Sequence, residues 1–180
     1  LNDLKIKQPS NGVSNNIKDT LKIANDIGYP VLIRPSYVLG GRAMEIVYKK
    51  SDLEKYLIDA VQASEKSPVL LDGFLNQATE LDIEAVCDGT NVVIGGILQH
   101  IEQAGIHSGD SACSLPPYSL EKGIIEQVSD LVKNIALEIK AIGLINVQVA
   151  ILNNEIFILE VNPRASRTIP FVSKCIGKSM

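Results

Sequence analysis

Residues 80–88 constrain the fold more than any other stretch. Leu81, Ile83, Ala85 and Cys87 alternate with Glu80, Asp82, Glu84 and Asp88. A period of two places the apolar set on one face of a strand and the acids on the other, the pattern of a half-buried antiparallel strand. A parallel strand covered on both faces reads instead as a continuous apolar run. Asp88-Gly89 then turns the chain into 92–100, a hairpin partner. On this reading Cys87 faces the core, and Asp82 and Glu84 lie on a solvent face with no role. Glu80, at the strand entry beside Thr79, is left open.

The remaining elements alternate less regularly. Ile17, Leu21 and Ala24 are spaced for a helix after Ser14, ended by Gly28. Strands are expected at 30–34 and 43–48 around a loop at 36–42, and another at 69–71. Ser51 and Glu54 form a capping box opening a helix to about residue 64, with Leu53, Leu57, Ala60 and Val61 on one face. A long loop covers 101–118. The clearest helix, 120–142, carries the stripe Ile124, Val128, Leu131, Ile135, Ile139 and Ile142, closed by Gly143. Strands at 144–152 and 156–161 meet at Asn153-Asn154. Residues 174–180 are expected to carry no structure of their own. Helices among hairpins, without strict βαβ alternation, imply an α+β architecture. The expected lobes are a smaller one at 12–72 and a larger one at 73–180, and the ends read as those of a piece of something longer.

Composition narrows the function classes. The net charge of −4 argues against a broad nucleic-acid footprint. No apolar stretch approaches the ~20 residues of a membrane span. Cys87, Cys113 and Cys175 form neither a disulfide framework nor a zinc site, so a reducing, cytoplasmic setting is expected. The basic residues divide unevenly: 13 lysines are scattered, while the four arginines, Arg34, Arg42, Arg164 and Arg167, fall in two short segments. A guanidinium fork suits phosphate or carboxylate, although structural ion pairs use it equally.

Three segments carry candidate chemistry. In the first, Arg34 ends a strand and Gly40-Gly41 lie in the following loop before Arg42. Such glycines let backbone N–H groups approach phosphate, and they equally suit a plain hairpin turn. In the second, Glu160 and Asn162 share a strand face, and Gln148 on the preceding strand offers a third oxygen for a hard cation. A strict two-residue turn at Asn153-Asn154 pairs Leu152 with Glu155 and sets Gln148 opposite Leu159, on the wrong face. Convergence therefore requires an odd-length loop or a bulge. The bland alternative is a strand end whose Glu160 pairs with a nearby arginine. The third segment, 102–111, gathers Glu102, His107, Ser108, Ser111 and two glycines. His107 can balance charge on a transferring group or simply be solvated, and His100 reads as structural. No cysteine has a visible activating base.

Taken together, IRPSYVLGGRAM at 33–44, EQAGIHSGDSA at 102–112 and EVNPR at 160–164 closely resemble the carbamoyl phosphate synthetase large-chain family, in order along nearly the whole chain. The form of the second segment resembles the second, carbamate-phosphorylating half. The resemblance implies an ATP-grasp fold across 1–180, in which two α+β lobes with antiparallel sheets clasp ATP. It implies that Arg34 contacts nucleotide phosphates and that Gly40 and Gly41 form a mobile phosphate loop. Gly73, Leu75 and Glu80 match the adenine and ribose strip; some relatives carry histidine where Gly73 stands. Gly105, Ile106, His107 and Ser108 match further nucleotide contacts. Gln148, Glu160 and Asn162 match the ligands of Mg2+ (or Mn2+), with Gln148 and Glu160 also beside the nucleotide. Arg164 and Arg167 match arginines near an anionic acceptor.

The implied reaction is ATP-dependent phosphorylation of carbamate to carbamoyl phosphate, feeding pyrimidine and arginine biosynthesis. The implied partners are the rest of the large chain and a glutamine amidotransferase small subunit. Two alternatives stand beside this: another ATP-grasp carboxylate ligase, and a nucleotide-binding fragment that is weak or inactive in isolation.

Overall fold

The computed structural model describes residues 6–35, 44–63 and 68–180, with the side chains of 35 and 58–63 left aside. The expected phosphate loop, with Gly40, Gly41 and Arg42, lies outside the described residues, as do the side chains of Ala60 and Val61. The chain divides into two compact units, Pro9–Asn76 and a larger one built from 6–8 and Gln77–Met180. The division falls after Asn76, so Gly73 and Leu75 belong to the smaller unit, whereas the sequence reading placed them in the larger lobe.

The smaller unit comprises β1 (Asn11–Ser14), α1 (Ile17–Ile27), β2 (Val31–Pro35), β3 (Glu45–Val47), α2 (Lys50–Ala63) and β4 (Val69–Gly73). Its strands form an antiparallel sheet in the order β1-β4-β2-β3. Asn16 caps α1, its side chain accepting from the Asp19 N–H, and the Gly28 N–H closes the other end on the Ala24 carbonyl. The expected capping box at Ser51 is not used. The helix has already begun at Lys50, and the Leu53 N–H bonds to the Lys49 carbonyl. Val31 pairs with Val47 and Ile33 with Leu71, a fully buried row packed with Ala24, Leu53 and Leu57. Strand β1 was not anticipated.

In the larger unit, β5 (Thr79–Asp88), β6 (Val92–His100), β7 (Cys113–Ser114), α3 (Lys122–Glu138), β8 (Ile142–Leu152), β9 (Glu155–Asn162) and α4 (Ile169–Ile176) follow in order. The sheet is antiparallel throughout, ordered β7-β6-β5-β8-β9. The apolar face of β5, Leu81, Ile83, Ala85 and Cys87, joins Ile145, Val147 and Val149 against Ile124, Val128, Val132 and Ile135 of α3. Helix α3 ends earlier than its periodicity suggested. Lys140 enters the left-handed region (φ 54°), and the Ala141 N–H reaches back to the Ala136 carbonyl. Ile142 and Gly143 therefore open β8, and Ile142 is 83% exposed instead of joining a helix stripe. Helix α4 was also unforeseen; Pro170 in its first turn and Gly177 beyond its end mark it.

The β8–β9 hairpin decides which side chains share a face. Asn153 and Asn154 both have positive φ (52° and 62°), the conformation of a two-residue turn that asparagine tolerates. The strict pairing Leu152↔Glu155 holds as far as Val149↔Ile158; the register then shifts, and Gln148 pairs with Glu160. Leu159 is the extra residue of a bulge. The tight turn and the bulge both occur.

Candidate functional site

The face of the large sheet away from α3 is polar. Cross-strand pairing aligns Asp82 with Gln148, Glu84 with Asn146, Gln148 with Glu160 and Asn146 with Asn162. This corrects the reading of Asp82 and Glu84 as a solvent face: Asp82 is 4% exposed and Glu84 is fully buried. Acids are buried at such positions only when donors surround them. Asp82 accepts from Asn146 Nδ2 at 3.1 Å and meets His100 Nε2 at 2.9 Å. Glu84 Oε1 accepts from Asn146 Nδ2 at 2.7 Å, Ser166 Oγ at 2.5 Å and Thr168 Oγ1 at 2.5 Å.

His100 sits between two acids, its Nδ1 lying 3.5 Å from Glu80 Oε2. Burial alone lowers its basicity, but the hydrogen bonds and charges of Asp82 and Glu80 outweigh this and push its pKa up to about 9. Burial likewise raises the carboxyl of Asp82, and bonds from His100 and Asn146 more than reverse this, leaving it below its ordinary value. Ligand atoms of Asp82, His100 and Cys113 lie within 4.8 Å of one another. The Cys113 thiol is pushed up by burial and by the charges of Asp82 and Glu102, which disfavours the thiolate that metal binding or nucleophilic attack needs. His100 and Asp82 already satisfy each other, and Cys113 Sγ lies 3.9 Å from the Ser111 carbonyl.

The 101–112 loop attaches to the same face. Its base is closed by the Ile101 N–H on the Ala112 carbonyl, and the Gly105 N–H donates to Glu80 Oε1 at 3.0 Å. His107 Nδ1 accepts from the Gly109 N–H at 3.0 Å, so in the neutral ring the proton sits on Nε2. Ser108 Oγ receives Gln148 Nε2 at 3.0 Å and Arg167 Nη2 at 3.4 Å. A Cβ on Gly109 would stand 2.5 Å from Arg167 Nη1 and 2.8 Å from His107 Nδ1, so those side chains approach this closely only because residue 109 has none. Ile106, in the same loop, is about half exposed.

The bulge puts Gln148, Glu160 and Asn162 on one face, where they offer two amide oxygens and a carboxylate. That all-oxygen set fits a hard divalent cation. Glu160 is exposed, and among the described residues it makes no hydrogen bond or ion pair, so the bland alternative of an arginine partner is not realised there. Arg164 donates from Nη1 to the Ala165 carbonyl, and its N–H bonds the Asn162 carbonyl at 2.8 Å.

Within the smaller unit, Arg34 Nε lies 3.1 Å from Asp72 Oδ2. Burial raises the Asp72 carboxyl and Arg34 offsets this only in part. The Gly73 N–H donates to the Ser10 carbonyl at 2.7 Å, and a Cβ there would press on Ile27 Cγ2 at 3.3 Å. Leu75 is half-buried. The sequence reading missed Asp82, Glu84, His100, Asn146, Ser166 and Thr168 as members of the polar face. The pairing of β5 with β8 and β6, and the segment before α4, bring them together, and no local signal encodes that.

The family described as "Carbamoyl-phosphate synthase L chain, ATP binding domain" matches residues 2–180. A carbamoyl phosphate synthase large chain from Pseudomonas putida is 60% identical over 177 residues, covering 98% of this chain and 16% of that protein. The C-terminal section of the large chain from Aquifex aeolicus is 57% identical over 175 residues, 97% of this chain and 33% of that one. The chain thus spans about a sixth of the length of full-length relatives such as the Pseudomonas protein. A biotin carboxylase–β,γ-ATP complex from Campylobacter jejuni aligns with a TM-score of 0.80 at 18% identity, over 96% of this chain and 40% of that one. The biotin carboxylase domain of a Hydrogenobacter thermophilus 2-oxoglutarate carboxylase, in complex with MgADP, ADP and bicarbonate, aligns at 0.77 and 21%, over 96% and 40%. Two antiparallel sheets with flanking helices, matched to these structures, make this an α+β ATP-grasp fold. The chain belongs to the carbamoyl-phosphate synthase large-chain family, to its ATP-binding domain.

Proposed function

We propose that this chain contributes the ATP site at which carbamate is phosphorylated to carbamoyl phosphate, within a longer cytoplasmic large chain served by a glutamine-hydrolysing subunit. The observation that carries the reading is the Gln148↔Glu160 pairing across the bulge, with Asn162 on the same face and Arg164 and Arg167 following directly. The relative named as a C-terminal section supports the second-half assignment. The MgADP and bicarbonate named for the Hydrogenobacter enzyme support a nucleotide, a divalent cation and a small anionic acceptor.

In this reading Gln148, Glu160 and Asn162 hold Mg2+ or Mn2+, which when bound supplies charge neutralisation between two anions. Within the larger unit, Glu80, Gly105, Ile106 and Ser108 are the proposed nucleotide contacts; Arg34, Gly40, Gly41, Gly73 and Leu75 keep the nucleotide roles that the resemblance implies. Arg164 and Arg167 hold the acceptor, and His107 offers its Nε2 proton to developing charge. A carbamate oxygen bonds to the γ-phosphorus as the bond to ADP breaks, giving carbamoyl phosphate and ADP. The acceptor is already an anion, so no protein nucleophile is needed, and the residues act by positioning and electrostatics.

The test is carbamate-dependent ADP formation by the full-length protein carrying Glu160→Gln. Loss of activity by 10²-fold or more is expected, and near-normal turnover would contradict the assignment. A second reading, a nucleotide-binding piece inactive by itself, is favoured by the 16% coverage of full-length relatives. Comparing ADP formation by the 180-residue chain and by the full-length protein separates the two. Offering carbamate, bicarbonate and amino acids as acceptors separates both from another carboxylate ligase.

A further inference from the structure

Glu84 is fully buried, yet among the described residues only one of its oxygens is satisfied: Oε1 takes three donors, and Oε2 has no partner there. Burying a half-satisfied carboxylate costs stability that an apolar residue of similar volume would not. What it provides in return is orientation. A side-chain amide has two nearly isosteric ends, and nothing local decides which end points where. Asp82 Oδ1 and Glu84 Oε1 both accept from the NH2 end of Asn146, at 3.1 and 2.7 Å. Asn146 then presents Oδ1 to its cross-strand partner, and Asn162 Nδ2 donates to it at 3.5 Å. With its NH2 committed there, Asn162 keeps Oδ1 for another contact.

The same Glu84 oxygen holds Ser166 and Thr168, the hydroxyls on either side of Arg167. The Thr168 N–H completes that tie on Ser166 Oγ at 3.1 Å. One buried oxygen thus sets both the amide orientation of Asn162 and the segment that carries the arginines.

We infer that Glu84 is a positioning residue: through Asn146 it turns the oxygen of Asn162 toward the divalent cation, and through Ser166 and Thr168 it fixes Arg167. This rests on the proposed role of Asn162 as a metal ligand. Outer partners that orient metal ligands typically affect metal affinity 10–100-fold.

Two substitutions separate positioning from charge. Glu84→Gln can keep an acceptor oxygen at the Oε1 position, with its NH2 replacing the unpartnered Oε2, whereas Glu84→Asp keeps the charge and withdraws the oxygen by one methylene. In the full-length protein, Mn2+ affinity in the presence of ADP is read by electron paramagnetic resonance, beside kcat, KM for ATP and thermal unfolding. For Glu84→Asp we expect Mn2+ binding weakened about 10-fold or more and kcat lowered more than KM for ATP is raised. Glu84→Gln should recover Mn2+ affinity to within about 3-fold of the parent. Glu84→Gln binding Mn2+ more weakly than Glu84→Asp, or both binding at parental affinity whatever their melting temperatures, would overturn the inference. Glu160→Gln is the control. If it abolishes Mn2+ binding while both Glu84 variants bind normally, the relay alone is wrong; if it binds normally, the metal reading fails and takes the relay with it.

Discussion

Replacing His100 by glutamine should remove a stabilisation that depends on pH in a defined direction. In the folded protein His100 is 6% exposed and lies between Asp82 and Glu80, which raise its pKa to about 9 against burial. An unfolded histidine titrates near ~6.5. Between those values the folded state holds a proton that the unfolded state has lost. The contribution is therefore complete below about pH 6.5 and vanishes as pH rises through about 9. At roughly 1.36 kcal/mol per pH unit, the gap corresponds to about 3 kcal/mol. The lowered carboxyl of Asp82 reports the same pair and is not added to it. The assay is urea unfolding of the parent and of His100→Gln at about pH 6 and about pH 10, taking the difference between proteins so that other titrating groups cancel. The parent's advantage should shrink by about 3 kcal/mol at the higher pH. An advantage that is constant with pH, or that grows, would refute the ion-paired, protonated His100.

Gly109→Ala should lower turnover more than stability, because its methyl group would meet Arg167 and His107 at 2.5 and 2.8 Å and displace the guanidinium from Ser108; kcat beside a melting curve checks this. Arg164→Ala should reduce carbamate-dependent turnover about 10²-fold with the fold intact, since the side chain is exposed and bonds only its neighbour's carbonyl among the described residues. Ile83→Ala, at a fully buried position under α3, should cost about 2–5 kcal/mol in denaturant unfolding.

The legible parts of the fold were those encoded by short-range pattern. The 92–100 strand, the period-two face of β5 and the buried stripe of α3 follow from side-chain spacing that the backbone repeat converts directly into faces. Errors gathered where one residue's backbone decided the outcome. Lys140 turned left-handed and released Ile142 into a strand, although helical spacing continued through it. At Gln148 the sequence posed the question without answering it: the asparagine pair specified a tight turn, and the bulge at Leu159 depends on how β9 packs, which spacing does not record. Asp82 and Glu84 read as solvent-facing because alternation shows which residues share a face, not what covers that face. Their cover consists of Asn146, His100, Ser166 and Thr168, contributed by β8, β6 and the segment before α4. The candidate ligands themselves were visible because oxygen-bearing residues at a strand end, followed by arginines, are chemically unusual wherever they pack.

The central claim is best tested by a crystal structure of the protein with a non-hydrolysable ATP analogue and Mn2+, using anomalous scattering to place the ion. A peak within coordination distance of a Glu160 carboxylate oxygen and of Asn162 Oδ1, with Gln148 Oε1 completing the set, is the predicted result. An ion held elsewhere, with Gln148, Glu160 and Asn162 all free of it while the nucleotide is bound, would contradict the account.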